Sequence, residues 1–141
     1  MKKKLGVIVL VGIIVSLTLL SVYSSPSNYW IGEKQVFMYG RGIGKPGDSG
    51  LGGAKTAALN NARAAVIEGV YEKNIETSFV SAHKEVVGPL SFIGIGKRVI
   101  RGSILPGRLQ TLSCKDYYKK TKEGKKELMK VVVEVRIPIV N

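Results

Sequence analysis

The feature that most limits this chain is the apolar run from Leu5 to Tyr23, which follows Met1, Lys2, Lys3 and Lys4 and carries no charge and no proline. As a helix rising about 1.5 Å per residue, such a run extends about 28 Å, close to the roughly 30 Å hydrocarbon core of a bilayer. Basic residues ahead of the run stay on the cytoplasmic side, so everything after Tyr23 is expected outside. A buried core helix has no need of the lysines, and residues 1–24 therefore read as a signal peptide or membrane anchor. The cytoplasmic membrane is then a partner through residues 5–23. Two outcomes fit: cleavage at the small-residue site Val22-Tyr23-Ser24, or retention with Tyr23, Tyr29 and Trp30 as interfacial aromatics. Lys4-Leu5-Gly6 also precedes the run as in prepilins, but Val11 stands where those subunits carry a glutamate.

Beyond the leader lie about 115 residues, enough for one domain with its own core and too few for two. Residues 25–34 are expected as a linker and residues 35–141 as a single domain. Cys114 is the sole cysteine, so no intramolecular disulfide can form. Ser24 and Ser25 occupy the place of an acylated cysteine, which excludes a diacyl anchor. Cys114 is expected as a small buried hydrophobe. The net charge of +12 is unevenly spread, with thirteen Lys/Arg against five Asp/Glu in residues 84–141 and six against five in residues 29–83. A basic half suits a solvated lysine-rich face, an anionic surface or an acidic envelope protein. Export makes nucleic acid an unsuitable target.

The elements follow from composition and period. Gln35–Gly42 is rich in aromatic and apolar residues and reads as a first strand. The glycine-dominated stretch from Gly44 to Gly53, with Pro46 and Asp48, reads as a loop. From Ala54 to Thr77 alanine is frequent and proline absent, which predicts one long helix with Asp48 or Ser49 as its entry cap. Leu59, Val66 and Val70 share one helix face with Ala58, Ala62, Ala65 and Gly69, small residues that let a backbone lie close to a sheet. Ile67, Tyr71 and Ile75 form a second stripe at i, i+4 and i+8, to be covered by the chain's own loops or strands, or by a partner. Ser78–Val87 and Lys97–Leu105 read as strands separated by glycine and proline turns. Leu109–Tyr118 and Glu127–Val140 read as a hairpin closed by Lys119–Lys126. In the last strand Met129, Val131, Val133, Val135 and Ile137 point to the core, and Lys130, Glu134 and Arg136 to water.

No catalytic constellation emerges. Lys55-Thr56 resembles the end of a phosphate-binding loop, but Ala54 replaces the glycine before it and Ser49 the glycine that opens it. Gly40-x-Gly42-x-Gly44 lacks the dinucleotide-binding spacing. His83 is the only histidine and Cys114 the only cysteine, so a multi-histidine or cysteine metal site is not expected, and His83 is assigned a structural role. Glu68, Glu72 and Glu76 repeat along one helix face, the pattern of a solvated row rather than of an acid and base pair. No cofactor is expected.

The run Ala54-Lys-Thr-Ala-Ala58-Leu-Asn-Asn61-Ala62-Arg63-Ala-Ala65, entered from a glycine-rich strand end and followed by strands, resembles the alanine-rich helix of the Lpp-type twenty-kilodalton envelope lipoprotein family. It is also similar to the N-terminal domain of the flagellar assembly protein T family. The resemblance implies an α+β domain in the cell envelope, with a helix on an antiparallel sheet and no catalytic residues to carry over. The missing acylated cysteine departs from the lipoprotein pattern.

The expected fold is therefore α+β: one long helix packed on a mostly antiparallel β-sheet, preceded by the N-terminal signal or transmembrane helix. The expected function is a noncatalytic cell-envelope binding or assembly module, with a small secreted enzyme as the alternative. Ile67, Tyr71, Ile75 and Arg63 are the candidate partner-binding residues. An envelope protein, an anionic surface or a second copy of the chain would be the partner.

Overall fold

In a computed structural model, residues 28–140 are described; the leader, the prepilin-like Gly6 and the proposed cleavage site lie outside them. Six strands and one long helix follow in the order β1 (Tyr29–Ile31), β2 (Phe37–Gly44), α1 (Gly50–Glu72), β3 (Val80–Val87), β4 (Lys97–Ile104), β5 (Gln110–Lys120) and β6 (Lys126–Pro138). A single turn of 3-10 helix, Ser91–Ile93, sits between β3 and β4. Strands β1-β2-β6-β5 form a four-stranded sheet and β3-β4 a separate hairpin. Every pairing is antiparallel, so the α+β expectation holds, with two sheets in place of one.

Strand β2 alternates in the way that a half-covered sheet requires. Met38, Gly40, Gly42 and Gly44 are buried, whereas Phe37, Tyr39, Arg41 and Ile43 lie on the other face. The helix covers the glycine side through Ala54, Ala58, Ala62, Val66 and Val70. Val131, Val133, Val135 and Ile137 of β6 complete this core, in which no charged or polar side chain among the described residues is buried. Each buried aliphatic side chain contributes about 1.5–3 kcal/mol. Since the helix buries mainly alanine and glycine, the larger share of that burial comes from the valines of β6 and from Met38.

Several boundaries differ from the sequence reading. Tyr29–Ile31, expected in the linker, pairs with Met38–Gly40 as an edge strand. The glycine-rich loop is shorter than expected because Gly50–Gly53 already belong to the helix. Ser49 occupies the cap position, but neither it nor Asp48 supplies a side-chain cap.

At its other end the helix stops at Glu72, five residues early. Asn74 takes a left-handed φ of 53°. Its N–H donates to the Tyr71 carbonyl at 3.1 Å, and the Ile75 N–H donates to the Val70 carbonyl at 3.0 Å. This left-handed cap satisfies carbonyls that the helix end leaves open and folds Ile75 back onto the last turn. Ile75 therefore packs against the core from outside the helix, and Glu76 is no longer in a helical row with Glu68 and Glu72.

Two expected core residues lie outside the core. Met129 is exposed because Tyr117 pairs with Lys130 and Tyr118 with Leu128, leaving Met129 as an extra residue that reverses the alternation. Leu128 takes the inward position. Cys114 is exposed. It shares a sheet face with buried Val133, its register partner, but no residue of edge strand β5 enters the core.

Candidate interaction surface

The helix covers one face of the four-stranded sheet and leaves the other open. Antiparallel register places opposed residues on one face, and here it aligns Trp30, Tyr39, Arg136 and Gln110 in one row across β1, β2, β6 and β5. The Trp30 and Tyr39 rings stack with centroids 5.5 Å apart and planes 5° from parallel. Phe37 lies 6.3 Å from Tyr39, tilted. The Arg136 guanidinium sits 4.1 Å above the Phe37 ring, and its Nε donates to Gln110 Oε1 at 2.7 Å.

A second row runs alongside. Arg41 lies 5.1 Å from the Trp30 ring centroid. It also donates through Nη2 and Nε to Glu134 Oε1, at 2.7 and 3.0 Å. Lys130 reaches 5.2 Å from the Tyr117 ring. Arg41, Lys115, Tyr117, Lys130 and Glu134 line a shallow cleft of about 430 Å³ on this face. Arg41, Lys130 and Arg136 are each held over an aromatic plane, so most of the face is ordered before any partner arrives. Its charge is basic, with Arg41, Lys115, Lys130 and Arg136 against Glu134.

The four residues singled out from the sequence separate into two groups. Ile67 is buried and Ile75 half-buried, both under the base of the β3–β4 hairpin, where Val80, Ala82, Ile100 and Ile104 close over them. The second stripe thus has an internal cover over most of its length. Tyr71 remains exposed, at the rim of a cleft that it shares with Val70, Ile75 and Val80. Arg63 is also exposed and lines a different cleft of about 550 Å³, with Leu59 and the β4–β5 connection at Leu105, Pro106 and Gly107. Arg63 and Tyr71 are not brought together.

Sequence reasoning missed the open face because its residues come from four strands that are distant in the chain. The one legible signal was the alternation of Phe37, Tyr39 and Arg41 with Met38 and the glycines.

Tyr29 is the titratable group whose environment acts on it most clearly. Burial against the helix raises its pKa above the ordinary value, and the carboxylates of Glu68 and Glu72 raise it further. His83 lies 3.3 Å from Glu85, which is also bound by Arg101 at 2.5 Å, on an exposed strand face. Among the described residues no group of three or more His, Cys, Asp or Glu is placed to hold a metal ion. No helix among them is long and apolar enough to cross a membrane. Compared with family models, curated proteins and solved structures, the chain matches none.

Proposed function

We propose that this chain is a noncatalytic cell-envelope protein, exported or held at the membrane by its leader, that acts as a binding or assembly module. The observation that carries the reading is the open sheet face. Trp, Tyr and Arg are the residue types that dominate binding hot spots, because they combine large apolar area with a polar end. Here Trp30, Tyr39, Arg41 and Arg136 lie in adjoining rows, already fixed by stacking and hydrogen bonds. Prior fixing lowers the entropy lost on binding. The basic balance of the face favours an acidic envelope protein. Tyr71 and Arg63 lie on the helix side of the sheet, in two separate clefts, and would each offer a second contact apart from this face. The resemblance to envelope lipoprotein and flagellar assembly domains, carried by the alanine-rich helix, supports the same setting.

Crosslinking in intact cells followed by mass spectrometry tests this reading. The native chain is expected to capture a discrete partner, and Arg136→Glu combined with Trp30→Ala to lose it while remaining folded. Tyr71→Asp reports separately on the helix. Retention of every crosslink by both variants would remove these surfaces from the reading. Turnover of a substrate by the pure protein, with no partner captured, would establish a small secreted enzyme instead.

A further inference from the structure

The β3–β4 hairpin ends in an apolar tip that the rest of the fold does not use. Within eight residues, Gly88-Pro89-Leu90-Ser91-Phe92-Ile93-Gly94-Ile95, four large apolar side chains are exposed: Leu90 at 44%, Phe92 at 81%, Ile93 at 57% and Ile95 at 56%. Scattered surface leucines are ordinary, but a cluster of this kind at one convex point marks a contact with an apolar phase or partner. Only the base of the hairpin packs on the core, through Val80, Ala82, Ile100 and Ile104. From the Lys84–Ile100 pair outward, three further pairs carry the strands about 10 Å at about 3.4 Å per residue. The tip therefore stands clear of the domain.

Two further observations select the occupant. The first is charge: Lys84, Lys97 and Arg98 surround the hairpin below the tip, and the single acid, Glu85, is already held by Arg101 further down. In the register, Lys84 and Arg98 lie on one face and Lys97 on the other, so the collar is basic on both sides. The second is the tip backbone, four of whose N–H groups are paired within the tip itself. The N–H groups of Ser91, Ile93, Gly94 and Ile95 donate to the carbonyls of Gly88, Leu90, Ser91 and Leu90 at 3.0–3.2 Å. Unpaired backbone groups are what makes a loop costly to place in lipid, and these four donors are already paired. Gly88, Gly94 and Gly96 hold the positive φ angles that this winding needs.

We infer that the β3–β4 tip inserts Leu90, Phe92, Ile93 and Ile95 into the interfacial layer of an anionic lipid bilayer, with Lys84, Lys97 and Arg98 resting among the headgroups. An apolar wedge of this size suits the upper 5–10 Å of a bilayer, and the basic collar matches the phosphates above it. The inference rests on the envelope reading and names one surface to which such a module would bind.

The test uses the full chain with Cys114→Ser and a polarity-sensitive fluorophore on Ser91→Cys, reconstituted with vesicles. A label on Asn60→Cys, on the exposed side of α1, is the control. The label reports its own surroundings, and the Asn60 label shares any tethering by the leader, so the difference between the two isolates the tip. In vesicles with about one third phosphatidylglycerol, the Ser91 label is expected to shift to the blue and to be quenched by spin-labelled lipid, and the Asn60 label is not. Phe92→Asp, or Lys97→Glu with Arg98→Glu, should each lower the inserted-to-free ratio about tenfold or more. A Ser91 label that stays in water overturns the inference. An equal shift in pure phosphatidylcholine overturns its anionic part. A shift that appears without vesicles and grows with protein concentration assigns the tip to self-association instead. Failure here leaves a captured crosslinking partner intact, and a substrate turnover that sank the envelope reading would leave the label's response unchanged.

Discussion

Gly42 of β2 lies against the backbone of Ala58 of α1 so closely that a Cβ on Gly42 would overlap the Ala58 carbonyl oxygen and the Ala62 amide nitrogen. The same holds one step along in each direction. A Cβ on Gly44 would meet the Ala54 carbonyl, and one on Gly40 would come within 2.6 Å of the Ala62 carbonyl. Two residues of strand advance about 6.7 Å and four residues of helix about 6 Å, so the glycine and alanine rows stay in step over three contacts. Asn61 closes the seam by donating from Nδ2 to the Ile43 carbonyl at 2.8 Å.

Gly42→Ala is therefore expected to lower unfolding free energy by about 3 kcal/mol, at the upper end of ordinary overpacking, because backbone rather than a side chain must give way. Gly47→Ala, in the loop where a Cβ would meet nothing within 4 Å, should change it by less than about 0.5 kcal/mol. Denaturant melts of the two variants check the pair. Equal effects would show that the close seam is not what Gly42 is for.

That seam also explains what the sequence did and did not disclose. The small face of α1 was legible, since Ala58, Ala62 and Gly69 could be placed beside Val66 and Val70 by angle alone. Its partner was not, because the expected first strand ends at Gly42 and leaves Gly44 in the loop, so that the period of two joining Gly40, Gly42 and Gly44 on one face appears only with a strand that runs on to Gly44. The β5–β6 hairpin was legible from its alternation, up to the bulge at Met129, which no periodicity shows. The early stop of α1 turns on Asn74 adopting a left-handed φ that the sequence permits without requiring. The open face needs the register of four strands, and so becomes visible only in the assembled sheet.

Ile67 and Tyr71 are one helical turn apart, yet their environments predict opposite behaviour. Ile67 is 7% exposed beneath the β3–β4 hairpin. Ile67→Ala should cost about 2–4 kcal/mol, from lost burial and the cavity left behind. Tyr71→Ala should cost less, about 1 kcal/mol, as its side chain sits at the rim of a cleft and its loss leaves no enclosed cavity. Urea titrations decide the matter. A large loss at Tyr71 with none at Ile67 would mean that the hairpin does not cover this stripe of the helix.

Cys114 lies on an uncovered edge strand, so its thiol is accessible without unfolding. An aromatic disulfide reagent should modify the native protein stoichiometrically, and urea should speed the reaction by no more than about tenfold, because access is not what limits it. A thiol that reacts only in denaturant would return Cys114 to the interior and require helix cover over β5.

Tyr29 links the edge strand to the helix, and its ionisation should report on that junction. Its ring packs on the helix at Gly69, where a Cβ would come within 2.8 Å of the ring carbons. Burial first, and then the Glu68 and Glu72 carboxylates, disfavour the phenolate, so the folded-state pKa lies above the ordinary value of about 10. A group whose pKa is raised on folding holds its proton more tightly in the native state. Its contribution to stability is complete below the unfolded value and is lost as pH rises through the folded one. The melting temperature should therefore carry no Tyr29-linked change below about pH 10 and a Tyr29-linked fall above it. Tyr29→Phe keeps the ring and removes the proton, so the variant should lose that part of the fall while keeping its stability at neutral pH. Thermal melts of both proteins from pH 8 to 11 make the comparison. Identical alkaline profiles would show that Tyr29 ionises as freely in the fold as in the unfolded chain, and that β1 does not hold it against the helix.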